Sequence, residues 1–324
     1  MKTALITGIT GQDSFHLTEL LLRKDYKIYG LLNGLKTSRV IEYSKKFPNV
    51  ILIDGNLTDS RTLINAIDIS KPTEIYNLGA ISFVRLSFKE PEQTANVTGL
   101  GPLRLLEAVR KLGLDKDIKF YQASSSEMFG KVLHSPQTEL TSFSPRSPYG
   151  VAKVYAHQIC VNYRELYGMH ISCGILFNHE GEYRQEEYVT RKITKGVADI
   201  VNKRINKIRL GNLEGKRDWG YAGDYVEAMW LMLQQPNPDD YVISTGVTHS
   251  VREFLALAIS YAGLKGKIED YVEFDEGLVR PVDLELLVGD ASKARRALGW
   301  NPKVNFEELV KKMVEYDLNN YGRT

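Results

Sequence analysis

The sequence predicts an α/β fold: a doubly wound parallel sheet joined to a smaller, mainly C-terminal α/β lobe. Three observations carry that prediction. Short, wholly apolar strands alternate with amphipathic helices through the first half of the chain, as in a parallel sheet covered on both faces. The first strand runs straight into a glycine turn and then a helix, the usual opening of a doubly wound sheet. The alternation loosens only after Asn178, and no low-complexity linker marks a break, so the second lobe is expected to fold against the first.

Each element has its own reason. Thr3 to Thr7 is a buried strand, and Asp13 to Lys24 is a helix carrying Leu17, Leu20, Leu21 and Leu22. Lys27 to Leu32 and Val50 to Ile53 are the next strands. Asp59 or Ser60 caps a helix to about Ile69, because a short oxygen side chain satisfies an orphan N–H of the first turn. Glu74 to Leu78 is a fourth strand, Gln93 to Leu112 one long helix, and Ile118 to Ala123 a fifth strand. Pro148 to Tyr167 is a helix with proline in its first turn, where no N–H is missed. Ile171 to Phe177 is a sixth strand. Helices are then expected at Val189 to Lys203 and Asp224 to Gln234, with Tyr241 to Thr245 as the last strand of the main sheet. Val251 to Leu264, Ser292 to Leu298 and Phe306 to Asn319 close the chain as helices.

Composition narrows the function. Of 324 residues, 43% are hydrophobic and 25% charged, close to a soluble globular average and unlike a disordered chain. Forty-two basic against 40 acidic residues leave a net charge of +2. No nucleic-acid or membrane partner is therefore expected. Ala4 to Ile6 is too short for a signal-peptide core and no apolar run is long enough to span a bilayer, so the expected setting is cytoplasmic. Cys160 and Cys173 match no CxxC spacing. They are read as reduced, buried thiols, with a disulfide as the alternative and no metal expected.

Gly8-Ile-Thr-Gly11-Gln-Asp-Ser14 joins the first strand to the first helix. Gly8 permits a tight turn, Gly11 permits backbone to approach a pyrophosphate, and the helix N-terminus offers N–H groups to it. Ser14 stands where a third glycine is usual. The plain alternative is an ordinary strand–helix turn. The second strand ends in Leu31-Leu32-Asn33, without the acidic residue that holds an NAD ribose. Lys36 and Arg39 follow and are placed to meet a 2′-phosphate, or are solvated loop charges. The expected cofactor is NADP rather than NAD. Asn56 and Leu57 follow the third strand on the adenine side, and Leu78, Gly79 and Ala80 follow the fourth.

Tyr149-Gly-Val-Ala-Lys153 opens the helix after the fifth strand. Positions i and i+4 share a helix face, and an ammonium there is expected to lower the phenol from its usual value of about 10. Such a phenolate can take a hydroxyl proton while hydride leaves the same carbon. The fifth strand ends in Ser124-Ser-Ser126-Glu127, bringing a hydroxyl and a carboxylate to the same sheet edge. An exposed helical pair and a surface carboxylate are the plain alternatives.

Together with Tyr76 to Ala80, Tyr121 to Glu127, Pro145 to Lys153, Ile175 to Glu180, Val189 to Lys192, Leu210 to Leu213 and Lys216 to Gly220, these motifs give a resemblance. From about Lys2 to about Tyr316 the chain resembles the extended short-chain dehydrogenases that act on nucleotide sugars, and among them the GDP-mannose 4,6-dehydratase family. The resemblance implies a Rossmann domain of residues 1–177 with about 218–250, and a nucleotide-sugar lobe of about 178–217 with 251–324. It implies a redox-neutral dehydration of a GDP-hexose. Tyr149, tuned by Lys153, would deprotonate the C4 hydroxyl as hydride passes to NADP. Ser125 would bond the C4 oxygen, and Glu127 would remove the C5 proton and help expel the C6 hydroxyl. Hydride would then return to C6.

The resemblance further implies cofactor contacts from Gly8, Thr10, Gly11, Gln12, Asp13, Lys36, Arg39, Asn56, Leu57, Leu78, Gly79, Ala80, Tyr149 and Lys153. The implied substrate pocket draws on Ser82, Arg85, Asn178, His179, Glu180, Arg184, Thr190, Lys192, Leu210, Gly211, Asn212, Arg217, Arg280 and Asp283. A homodimer or homotetramer is implied, through the helices Gln93 to Leu112 and Pro148 to Tyr167. Asn33-Gly34, Ile81-Ser-Phe83, Gly181-Glu-Tyr183 and Tyr221 depart from the family pattern. A variant sugar, a 4-keto reductase or epimerase, and an inactive nucleotide-binding paralogue are the other readings.

Overall fold

In the computed structural model, which describes residues 1–34, 37–278 and 287–322, the apolar runs become strands and the amphipathic runs cover them. The chain opens with β1 (Thr3–Thr7), α1 (Gln12–Leu22), β2 (Lys27–Leu32), α2 (Ser38–Lys46), β3 (Ile51–Asp54), α3 (Ser60–Ser70) and β4 (Glu74–Asn77). Next are α4 (Val84–Lys89), α5 (Pro91–Thr94), a π-helical turn over Ala95–Gly99, α6 (Leu100–Lys111), β5 (Lys119–Ser125), α7 (Pro148–Tyr167) and β6 (His170–Leu176). Then follow β7 (Asn178–Glu180), α8 (Val189–Val201), β8 (Ile208–Leu210), β9 (Lys216–Tyr221), α9 (Ala222–Gln234) and β10 (Asp240–Ile243). The described chain ends with β11 (Thr248–Ser250), α10 (Val251–Tyr261), α11 (Ile268–Tyr271), β12 (Val272–Phe274), α12 (Ser292–Leu298) and α13 (Phe306–Asn319).

The main sheet has seven strands in the order β10-β6-β5-β4-β1-β2-β3, and every pairing in it is parallel. The strand order reverses between β1 and β4, so the carboxyl ends of these two strands flank the crevice where ligands of such sheets bind. One face is sealed by Phe15, Leu17 and Leu21 of α1 with Val226, Met229 and Met232 of α9. The other is sealed by Leu63 and Ile67 of α3, Leu105, Leu106 and Val109 of α6, and Cys160 and Tyr163 of α7. A third cluster unites α8, α10 and α13 through Ile193, Val197, Phe254, Leu255, Leu309 and Met313. Each fully buried side chain of this size contributes roughly 1.5–3 kcal/mol of apolar burial.

Several expectations need correction. The single helix from Gln93 to Leu112 is two helical segments joined by the π turn. Pro102 has no N–H to give to the carbonyl of Thr98, which lies within the widened turn. The last main-sheet strand is Asp240–Ile243, not Tyr241 to Thr245, because Thr245 turns its N–H and hydroxyl to Asp218 Oδ1. Helix α2 and the three-residue strands β7, β8, β11 and β12 were not expected. Strand β9 falls on the motif Lys216 to Gly220 and binds β7 and β11 in a second sheet.

Candidate active site

The glycine turn is built as its composition requires. Gly8 has φ +66°, and a Cβ there would lie 2.8 Å from the Cα of Gly79. Only glycine lets β1 and β4 release their chains so close together. Gly11 precedes α1 with extended backbone and no side-chain cap, leaving first-turn N–H groups for a ligand. Ser14 answers for the missing third glycine: it is buried and donates to Gly8 O at 2.8 Å. The Oε1 of Gln12 is also buried, with no hydrogen-bond partner among the described residues.

From this turn a buried polar row crosses the strand ends. Thr7 Oγ1 donates to Asn77 Oδ1 at 2.7 Å, and Asn77 Nδ2 donates to Gln122 Oε1 at 2.8 Å. Gln122 Nε2 then donates to Ala123 O at 2.9 Å, the carbonyl that also receives Lys153 Nζ at 2.6 Å. Lys153 is thus fixed to the sheet by its own ammonium. Ser147 caps α7 by accepting from Gly150 N at 3.0 Å. Gly150 lets that helix start lie against the next strand end, since a Cβ would meet Glu127 O at 2.7 Å. Ser125 Oγ accepts from Glu127 N at 3.2 Å, which orders the short turn carrying Glu127.

Ser125, Glu127, Tyr149 and Lys153 line one cavity, together with Gly8, Gly11, Gln12, Asp13, Leu78, Ala80 and Ser82. Asn178, His179 and Arg184 close its far side. Asp13 does not face this space alone. His179 bonds it at 3.0 Å and Gln12 at 3.1 Å, while His179 Nδ1 donates to Phe177 O at 2.8 Å. Burial by itself would raise Asp13, but His179, Gln12 and Arg184 outweigh it and hold the carboxyl well below its usual range. Burial would lower His179, yet Asp13 raises it overall. Each therefore favours the charged form of the other across this half-buried contact.

The tyrosine differs from expectation. Burial pushes the Tyr149 phenol well above 10, reinforced by Tyr188 and Glu127, while Ser125 and Arg184 pull the other way. Lys153 does not offset this: its ammonium lies 5.7 Å from the ring centroid and is spent on Ala123 O. Burial lowers Lys153 to about 8, against attraction from Asp13 and Cys160.

A second cavity adjoins on the β1–β2–β3 side, lined by Gly8, Thr10, Leu31, Leu32, Asn33, Thr37, Asn56, Leu57, Gly79 and Ala80. Among the described residues, no carboxylate lines it. Arg39 lies behind this wall over the Phe15 ring, 4.4 Å from its centroid, donating to Thr10 O, Glu42 and Tyr183 O. A third cavity of about 320 Å³ continues from the first, lined by Arg85, Asn178, Glu180, Lys192, Leu210, Gly211, Asn212 and Arg217. Thr190 is fully buried behind it and donates to Glu180 Oε2 at 2.6 Å. Glu180 also pairs with Arg184 at 2.9 Å. Lys36, Arg280 and Asp283 lie outside the described residues.

Sequence reasoning missed Tyr188, which lines two of these cavities, and the row Thr7–Asn77–Gln122. It also gave no sign that Cys173 would stand with His157 and Asp240, their donor atoms within 4.8 Å of one another. That group reads as an ion-pair cluster rather than a metal centre, because Arg164 already grips Asp240 with two hydrogen bonds of 2.8 and 2.9 Å.

A doubly wound sheet with a glycine turn at its switch point and a Ser, Glu, Tyr, Lys set beside it is the arrangement of an extended short-chain dehydrogenase/reductase. A model of the family described as GDP-mannose 4,6-dehydratase matches residues 5–313, and the chain belongs to that family. It is 50% identical to the GDP-mannose 4,6-dehydratase of Drosophila melanogaster, covering 98% of this chain and 86% of the relative. It is 49% identical to that of Homo sapiens, covering 98% and 91%. Both alignments run over 341 residues, more than this chain has, so these relatives carry segments it lacks. Among solved structures, a Thermus thermophilus UDP-glucose 4-epimerase complexed with NAD superposes with a TM-score of 0.85 at 27% identity, covering 97% and 98%. A dTDP-glucose 4,6-dehydratase from Bacillus anthracis, at 23% identity and TM-score 0.84 over 99% and 97%, shares the fold.

Proposed function

We propose that the chain dehydrates GDP-D-mannose to the GDP-linked 4-keto-6-deoxy sugar. The observation that carries this reading is that Ser125, Glu127, Tyr149 and Lys153 open into one cavity with the glycine turn. The family membership supports the substrate. Tyr149 would take the C4 hydroxyl proton, with Ser125 bonding the C4 oxygen. Glu127 would accept the C5 proton, acidified by the neighbouring ketone, and return it to the departing C6 hydroxyl as water. Burial favours the neutral phenol, so Tyr149 must first give up its own proton to act as the base, a loss that the positive charge of a bound nicotinamide would favour. When bound, a nicotinamide ring supplies the hydride acceptor and later donor, so the reaction is redox-neutral overall.

The cradle fits such a cofactor: Gly8 and Gly11 leave no side chain in the way, and the start of α1 has uncapped N–H groups. We read the cofactor as NADP, with NAD the alternative. The absence of a carboxylate among the described residues lining the cavity beside β2 supports this, although Arg39 is committed elsewhere. The diphosphate and nucleoside would occupy the cavity of Lys192 and Arg217, and the lobe around the third core cluster would be the nucleotide-sugar lobe. Exposed Leu100, Val151 and Tyr155 on the face of α6 and α7 support assembly into at least a dimer. The described helices hold none long and apolar enough to cross a membrane. Both free cysteines are buried, which supports a cytoplasmic setting.

The test is incubation with GDP-mannose and catalytic NADP. Loss of one water with no net reduction of cofactor is expected. Stoichiometric consumption of NADPH would make the protein a reductase instead.

A further inference from the structure

Two cavities share three lining residues, and the side chain of one of them is tied in three ways. Phe83, Asn178 and Tyr188 line both the cavity of Tyr149 and that of Lys192 and Arg217. Tyr188 stands just before α8 with extended backbone. Its ring is capped by the Arg184 guanidinium, 3.6 Å from the centroid, and meets Phe83 edge-on at 5.6 Å. Its hydroxyl lies 2.8 Å from that of Ser82. The phenol is thus fixed in position while keeping hydrogen-bonding capacity to spare, since each hydroxyl can both donate and accept.

The proposed reaction fixes how a sugar must pass this point. With C4 at Tyr149 and the C1 phosphate in the neighbouring cavity, the C1 end of the ring crosses between the residues that line both. One edge of the pyranose, C5 and the ring oxygen, must face Glu127. The other edge carries hydroxyls at C2 and C3, and C2 is the one beside C1. We infer that Tyr188 is a specificity-determining residue, its hydroxyl held by Ser82 to read the C2 hydroxyl of the hexose. This rests on the dehydratase reading for the direction in which the sugar lies. A site that hydrogen-bonds a substrate hydroxyl penalises the analogue that lacks it, because its own polar group is left unpaired.

The experiment is a substrate cycle on the full chain with cofactor bound. Affinity for GDP-mannose and for its 2-deoxy analogue is measured by calorimetry, and kcat and KM alongside, for the native protein, Tyr188→Phe and Ser82→Ala. The native protein is expected to prefer GDP-mannose by about tenfold. Tyr188→Phe keeps the ring, the Arg184 cap and the Phe83 contact, and is expected to bring the two ligands within about twofold of each other. Ser82→Ala is expected to narrow the ratio in the same direction. An undiminished preference in Tyr188→Phe, or an equal loss for both ligands, overturns the assignment, the second because it marks a purely structural role. Binding is read apart from turnover. Native protein that binds GDP-mannose without dehydrating it would defeat the dehydratase reading, and the affinity ratio would still decide for or against Tyr188.

Discussion

The edge carrying Tyr149 and the cavity carrying Lys192 hold similar numbers of charges, yet they are built on different plans. At the tyrosine edge almost every polar group is already bonded: Lys153 to Ala123 O, Asp13 to His179 and Gln12, Ser125 to the backbone of Glu127. Tyr149 and Lys153 are at least nine-tenths buried. The cavity of Lys192 is lined by apolar Leu210, Trp219 and Val251 together with Arg85, Lys192 and Arg217. The first plan suits chemistry, where groups must be fixed before the transition state forms. The second suits recognition of an anion. Mutations at the first should therefore act on kcat, and mutations at the second on KM.

The largest effect is expected at Tyr149. Tyr149→Phe removes the only hydroxyl proposed to exchange a proton with C4 and keeps the ring in its buried slot. We expect kcat to fall by about 10³-fold or more with nucleotide-sugar affinity little changed. A variant retaining a tenth of native kcat would mean that another group does the work.

Glu127→Gln comes next, with kcat down about 10²- to 10³-fold. The loss should fall at elimination rather than oxidation. Absorbance of reduced nicotinamide should build up in a single-turnover mixture while no 4-keto-6-deoxy product forms. Full activity in this variant would remove Glu127 from the mechanism.

Across the boundary, Lys192→Met should raise the KM for GDP-mannose about tenfold and leave kcat within about twofold, as loss of one charge-assisted contact to a diphosphate predicts. A fall in kcat with unchanged KM would place Lys192 on the chemical side and erase the contrast.

The same contrast explains what could be read from sequence. The tyrosine edge was legible because its residues sit on regular elements with a fixed period: Tyr149 and Lys153 one turn apart on α7, Ser125 and Glu127 at the end of β5. What was not legible is the environment. Spacing alone predicted that Lys153 would lower the phenol, whereas its ammonium turns to a backbone carbonyl and burial dominates. The row from Thr7 to Gln122 needs three strands side by side, and no local pattern encodes that. On the other side, strands of three residues such as β7 and β8 are shorter than any period can reveal. Thr190 shows the cost of motif transfer: its motif neighbour Lys192 reaches the cavity, while Thr190 is turned inward to Glu180.

The smallest effect concerns stability and tests whether the tyrosine edge is held together at a cost. Burial lowers Lys153 from 10.5 to about 8. Between those values the unfolded chain binds the proton that the folded chain has lost, so native stability rises with pH across the window. Below about 8 both states are protonated and the full penalty of a buried ammonium is felt. Lys153→Met removes the charge, keeps most of the volume and gives up one hydrogen bond to Ala123 O, which Gln122 still satisfies. The net expectation is a variant with negligible activity that is nevertheless about 1 kcal/mol more stable at pH 7, or roughly 2–4 °C in Tm. That advantage should shrink as the pH rises from about 8 towards 10.5. Calorimetry at pH 7 and pH 10 distinguishes the outcomes. If Lys153→Met is less stable than the native protein by the same margin at both, the lysine is a structural strut, and its burial is no sign that stability has been given up for catalysis.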